Sequence, residues 1–348
     1  MHQPPFVAEV RAGTASLLGL TLAGLALAGA AATAGRSVAP RSVDLGGTPL
    51  QLVSADGALW ALTCDHACSG QGKRSIGRIV EIDPRTERVI ASTKLARPGA
   101  IAVGTSGVYA SDFWRGTVRR LDPRTLRLTA TLHLKLPFFI TTSTTRDDAF
   151  LPEAIAVGGG NVWVATARGA LARTDPQLRH VLAMLRLPGD AFQAITAAPN
   201  AVWLSESLLG IYRINTKTNK VVARLAVGPA GGRLDPIQLI PTDTQLLAIG
   251  QWTNAGTLTN RNGLARVDST RNRVEAVTPL PAGQLTSAYA AGSLWVGRVN
   301  ATTLTQIDSH SGKTLRQLHV RVGRMLAFAG GALWTALGDG TLQQVPIR

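Results

Sequence analysis

One short apolar phrase recurs along the chain, and it limits the fold more than any other feature. It reads Ala58-Leu59-Trp60, Gly107-Val108-Tyr109, Asn161-Val162-Trp163, Ala201-Val202-Trp203, Gln245-Leu246-Leu247, Ser293-Leu294-Trp295 and Ala332-Leu333-Trp334. These seven copies stand 39 to 54 residues apart. Most are followed by alternating residues and a turn opened by Asp or Asn, as in Ile82-Asp83-Pro84, Leu121-Asp122-Pro123, Ile214-Asn215-Thr216 and Ile307-Asp308-Ser309. Asp and Asn suit such turns because their side chains bond their own backbone further along. Another short run follows the turn, as in Lys220 to Leu225, and a fourth precedes each apolar phrase, as in Ala154 to Val157. Four short strands per unit, repeated at this period, are the signature of a β-propeller. The expected fold is all-β: a seven-bladed propeller of four-stranded blades. The last unit carries no outer strand of its own. The segment Arg41 to Gly46 resembles the outer strand Ala223 to Gly228, so it is expected to complete the seventh blade and close the ring. Closure removes two exposed sheet edges at once.

The N-terminus is read apart from the fold. Arg11 precedes an Ala/Leu/Gly-rich run, Ala15 to Ala32, which ends in Ala32-Thr33-Ala34. Residues 1–34 are therefore expected to be a signal peptide or an N-terminal membrane anchor, 35–40 a linker, and 41–348 a single propeller domain. Either reading puts the body of the protein outside the cytoplasm: secreted, periplasmic, or anchored facing outside. Cys64 and Cys68 are the only cysteines, and an exported pair this close suits a small loop-closing disulfide. The alternative, a metal held by both thiols and His66, supplies three ligands and lacks the paired spacing of structural zinc sites.

Two further phrases carry a family resemblance. Asp56-Gly57-Ala58-Leu59-Trp60, followed by Ile76-Gly77-Arg78-Ile79, resembles the streptogramin-lyase-like propellers. Asn215-Thr216-Lys217-Thr218-Asn219-Lys220-Val221-Val222 resembles the YVTN-type surface propellers. The resemblance covers about residues 40–348 and implies the fold rather than an activity, because this fold hosts many functions.

Blade order runs from a channel-lining inner strand outward. Turns joining second to third strands, and fourth strands to the next blade, share one face, here called upper. The long insertions Cys64–Ser75, Leu136–Leu151, Gly228–Asp235 and Gln251–Asn262 all fall there, which marks it as the binding face. Ten residues before the repeated aromatic position stand Leu50, Gly99, Glu153, Gln193, Ile237, Leu285 and Arg324. Glu153, Gln193 and Arg324 are the polar members of this channel-mouth ring, and polar groups converging in an apolar concavity are candidate ligand contacts. Glu153 and Arg324 could equally pair with each other. Asp112, Glu206 and Arg298 end second strands on the same face, as candidate contacts or as solvated loop charges. Trp114 and Trp252 each follow by five residues in the two units that lack the repeated Trp. They either stack on a ligand or fold back into the gap.

An extracytoplasmic binding or cell-envelope interaction module is the function that follows, with a protein, glycan or small ligand on the upper face. The alternative is a propeller enzyme. The streptogramin-lyase resemblance implies a metal-assisted lyase with a histidine near the channel. His133, His180 and His319 fall on outer strands, His310 in a lower turn, and only His66 could approach the mouth. A lactonase-like calcium site needs several converging carboxylates or amides, and Glu153 and Gln193 supply two. No cofactor is expected, with a divalent cation as the one candidate.

Charge completes the reading. The formal net charge is +15, from 36 Lys+Arg against 21 Asp+Glu. The third- and fourth-strand segments hold 23 Lys+Arg and 8 Asp+Glu, leaving 13 of each elsewhere. The excess therefore forms a basic outer belt, expected to meet anionic envelope polymer or lipid; an exported protein meets no nucleic acid.

Overall fold

The computed structural model describes residues 42–65, 75–141, 146–149, 152–166, 169–189, 192–206, 210–228, 233–254 and 257–347. The expected signal segment, the linker, His66 and Cys68 lie outside these residues. Seven four-stranded antiparallel sheets form a ring of blades, each ordered from the channel outward. Blade 1 runs Thr48–Ala55, Ala58–Cys64, Ile76–Asp83 and Arg88–Ala96. Blade 2 runs Pro98–Gly104, Gly107–Asp112, Thr117–Leu121 and Leu128–His133. Blades 3 to 6 start with inner strands Pro152–Gly158, Phe192–Ala198, Arg233–Pro241 and Leu285–Ala290. Blade 7 has Met325–Ala329, Ala332–Ala336 and Thr341–Val345.

Position in the blade explains the sequence pattern of each strand. Second strands are covered by neighbouring blades on both faces, so they read as continuous buried runs. Gly107–Asp112, Asn161–Thr166 and Ala201–Glu206 are buried at every position. Outer strands face water, and Thr314–His319 is exposed at five of its six positions. The repeated aromatic position is the centre of this packing. Trp60, Trp163, Trp203, Trp295 and Trp334 are all buried, as are Tyr109 and Leu247 in their places. Seven apolar clusters result, one at each interface between consecutive blades. Trp163 and Leu204 share one between blades 3 and 4, for example, and Ile249 and Val296 another between blades 5 and 6.

The lower-face turns fold as their chemistry predicts. The Asp122 carboxylate accepts from Arg124 N at 3.0 Å, Thr125 N at 2.8 Å and Thr125 Oγ1 at 3.0 Å. These bonds hold its pKa below the ordinary carboxylate value. Asp83, Asp268 and Asp308 do the same in other blades. A residue late in each turn takes the left-handed conformation, including Asn219 and Asn272, where the short amide tolerates it.

The N-terminal strand closes the ring. Ser42–Asp44 pairs antiparallel with Thr341–Val345, placing Val43 opposite Leu342. Leu45 N donates to Gly340 O at 2.9 Å. Val43 and Leu45 bury themselves with Leu59, Ile82 and Trp334 between blades 7 and 1. On the upper face, the Gln251–Asn262 insertion is a continuation of two strands, Gln245–Asn254 and Thr257–Asp268. The Leu136–Leu151 insertion holds a two-stranded pair, Lys135–Thr141 with Arg146–Ala149.

Candidate functional site

The inner strands do not enter the channel regularly. Their pairing with the second strands slips by a bulge between Pro49 and Gln51, Pro98 and Ile101, Pro152 and Ala154, Phe192 and Ala194, and Pro236 and Gln238. The skipped residue is the ring residue, Leu50, Glu153, Gln193 or Ile237, and in blade 2 the ring residue Gly99 together with Ala100. A bulge leaves its extra residue unpaired and re-aims its side chain. Second-strand hydroxyls accept from main-chain amides freed by the slip, Ser111 Oγ from Ala100 N at 2.8 Å and Ser205 Oγ from Ala194 N at 2.9 Å. Gly99 is required beside the first of these, because a Cβ there would stand 2.5 Å from Ser111 Oγ. All seven ring residues consequently line one cavity of about 460 Å³ at the channel mouth.

The polar members of the ring are split across it. Glu153 belongs to blade 3, Gln193 to blade 4 and Arg324 to blade 7, so the guanidinium comes from as nearly the opposite side as seven blades allow. Glu153 and Arg324 form no ion pair. Burial is the one influence on the Glu153 carboxyl, and it raises its pKa above the ordinary value. Arg324 is exposed to the solvent of the mouth, its main chain fixed by Arg324 N donating to Ala336 O at 2.7 Å. Gln193 Nε2 donates to Asp235 Oδ2 at 3.3 Å in the next blade.

The other candidates lie outside this cavity. Asp112 is wholly buried. Arg97 Nη2 pairs with it at 2.8 Å and Arg119 Nη2 at 3.3 Å, and it caps the short 3-10 turn Phe113–Arg115 through Arg115 N. Its place is thus structural, tying the blade 1–2 connection to blade 2, where a solvated loop charge was the alternative. Glu206 is buried too, packed so close to Gly189 that a Cβ there would meet its carboxylate at 2.3 Å. Arg298 is exposed at the end of its strand. Trp114 is 42% exposed on the 3-10 turn. Trp252 packs on the apolar cluster between blades 4 and 5, with its indole nitrogen over Gly263. Cys64 is buried at the end of its strand, while its expected partner Cys68 lies outside the described residues. Among the described residues, no cluster of three or more His, Cys, Asp or Glu could hold a metal ion.

Two cavity residues escaped the sequence reading. Gln51 bridges blades 1 and 2: its Oε1 accepts from Ile101 N at 2.8 Å and its Nε2 donates to Ile101 O at 3.0 Å. Gln238 bridges blades 5 and 6, accepting from Ser287 Oγ at 2.7 Å. Both stand one residue after the ring position, and that repeated offset was the available signal.

Part of the basic belt also serves the ring itself. Arg173 lies 5.5 Å from the Trp163 ring centre and donates to Asn219 Oδ1 at 2.9 Å in the next blade's lower turn. Arg213 lies 5.3 Å from Trp203 and donates to Asn272 Oδ1 at 2.7 Å in the same way. Arg266 is buried and donates to Thr278 Oγ1 at 2.9 Å. Cations that remain exposed, such as Lys94, Arg186, Lys220 and Lys313, lie on outer strands or at their lower ends.

No protein-family model matches the chain, and no curated protein matches it in sequence.

Proposed function

We propose that this propeller is an exported ligand-binding module of the YVTN-type and streptogramin-lyase-like kind, with its site at the upper mouth of the channel. One observation carries the reading. Five bulged strands and two regular ones bring seven ring residues to one concavity, and that concavity contains a carboxylate with no partner among the described residues. Cavities of this size with few placed polar groups are where small ligands bind. The split of Glu153 and Gln193 from Arg324 supports binding over acid–base catalysis, which needs its groups within hydrogen-bonding reach of one reacting centre. None of the four described histidines, His133, His180, His310 and His319, lines the cavity, and His66, the one histidine expected near the mouth, lies outside the described residues.

The Ala/Leu/Gly-rich run Ala15 to Ala32 supports export. Exposed outer-wall cations would then meet anionic lipid or envelope polymer, an attraction that weakens with salt. Native mass spectrometry of the full chain, purified from its own envelope, tests the proposal. A co-purifying small molecule is expected, and it should be absent from Ile237→Trp, which fills the mouth. A divalent ion that is retained by the native chain and lost from Glu153→Gln would instead favour the enzyme reading.

A further inference from the structure

The channel mouth is electrically divided, and that division names a ligand class. On one side stand the Glu153 carboxylate and the Gln193 amide; on the other stands the Arg324 guanidinium, three blades away. Between them the ring is Leu50, Gly99, Ile237 and Leu285, with no other ionisable group lining the cavity. We propose that the mouth holds a small zwitterion lying across the channel, its cationic or N–H-bearing end on Glu153 and Gln193 and its anionic end on Arg324.

Three observations converge on this. First, Glu153 and Arg324 do not pair with each other, so both are left for a third party. A half-buried carboxylate without a partner is costly, and a bound cation removes that cost. Second, Leu50, Ile237 and Leu285 stand on the ring between the two charges and offer a short aliphatic stem a place to lie. Third, two of the neighbouring polar side chains are already engaged. Gln51 and Gln238 are held by the main chain or hydroxyl of the next blade, so they fix the rim without competing for the ligand. A ligand with one charge would satisfy one wall only. A large glycan would exceed a cavity of about 460 Å³.

This inference rests on the mouth being the binding site, and the test separates the two ideas. Glycine, 4-aminobutyrate and 6-aminohexanoate are titrated into the full chain by calorimetry, beside butylamine and butyrate, which each carry one of the two charges. One amino acid length is expected to bind best, at least tenfold more tightly than either single-charge analogue. Glu153→Gln and Arg324→Gln should each weaken it at least tenfold, while Lys94→Gln on the outer wall should not. Affinity should fall as pH drops and Glu153 takes up its proton, and this dependence should vanish in Glu153→Gln. If butylamine or butyrate binds as tightly as the best amino acid, or none of the three amino acids binds, the zwitterion inference is overturned. If an amino acid binds and the affinity survives Ile237→Trp and both charge variants, the ligand sits elsewhere, and the mouth fails as the site as well.

Discussion

The two faces of the ring use the same side chains for opposite purposes. On the lower face the aspartates that open the turns are employed by them. Asp83, Asp122, Asp268 and Asp308 each accept from the main chain of their own turn, and each pKa is lowered. At the upper mouth, Glu153 accepts nothing from the described residues, and burial raises its pKa. The lower carboxylates are part of how the chain folds. The upper one stands half-buried at the mouth of a cavity, where the few placed polar groups are those that meet a ligand. Asp112 shows that the upper face is not uniformly of this kind, since that carboxylate is buried between two arginines.

The largest effect should therefore come from Asp112. Asp112→Ala leaves Arg97 and Arg119 without their anion and should cost about 3 kcal/mol of stability, read by urea unfolding. A loss as small as that of an exposed pair would erase the distinction between Asp112 and a solvated charge. Next comes Arg213→Met, which removes the stacking on Trp203 and the bond to Asn272. It should cost about 1–2 kcal/mol in the same assay.

Smaller effects distinguish the two faces by sign. Asp122→Ala should destabilise the protein at pH 7. A lowered folded-state pKa contributes stability above the unfolded value that is lost as pH falls through the folded one, so the difference from the native chain should shrink in acid. Glu153→Gln should do the reverse. A raised folded-state pKa contributes stability that is complete below the unfolded value and lost as pH rises through the folded one. The variant should therefore match the native chain in acid and be slightly more stable at pH 7. Unfolding midpoints at pH 4 and pH 7 check both, and equal signs would remove the contrast between the faces.

The ring was legible in the sequence because the fold repeats. Counting back from a buried aromatic fixes a strand register, and that count placed Glu153, Gln193 and Arg324 at one mouth. The bulges were not legible, since they depend on how inner strands crowd at the channel. They are what turn positions such as Ile237 inward. Asp112 and Glu206 read as candidate contacts or solvated loop charges because their burial depends on neighbours distant in the chain: Arg97 for one, Gly189 for the other. Arg120, Arg173, Arg213 and Arg266 were counted as outer belt. Each stands two residues before the turn's Asp or Asn, a spacing that marks it as opposite the repeated aromatic position. That detail moves several positive charges from a docking surface into the joints between blades.

The seam between Val43 and Leu342 also sets an order of events. Blades 1 to 6 are each built from contiguous chain and can form as local hairpins. Blade 7 cannot, because a chain that emerges from its N-terminus must keep its first strand waiting until the strand at Thr341–Val345 arrives. Arg324 comes in with that same late segment. The two halves of the mouth are thus made far apart in time, and the site comes into being only when the ring is sealed.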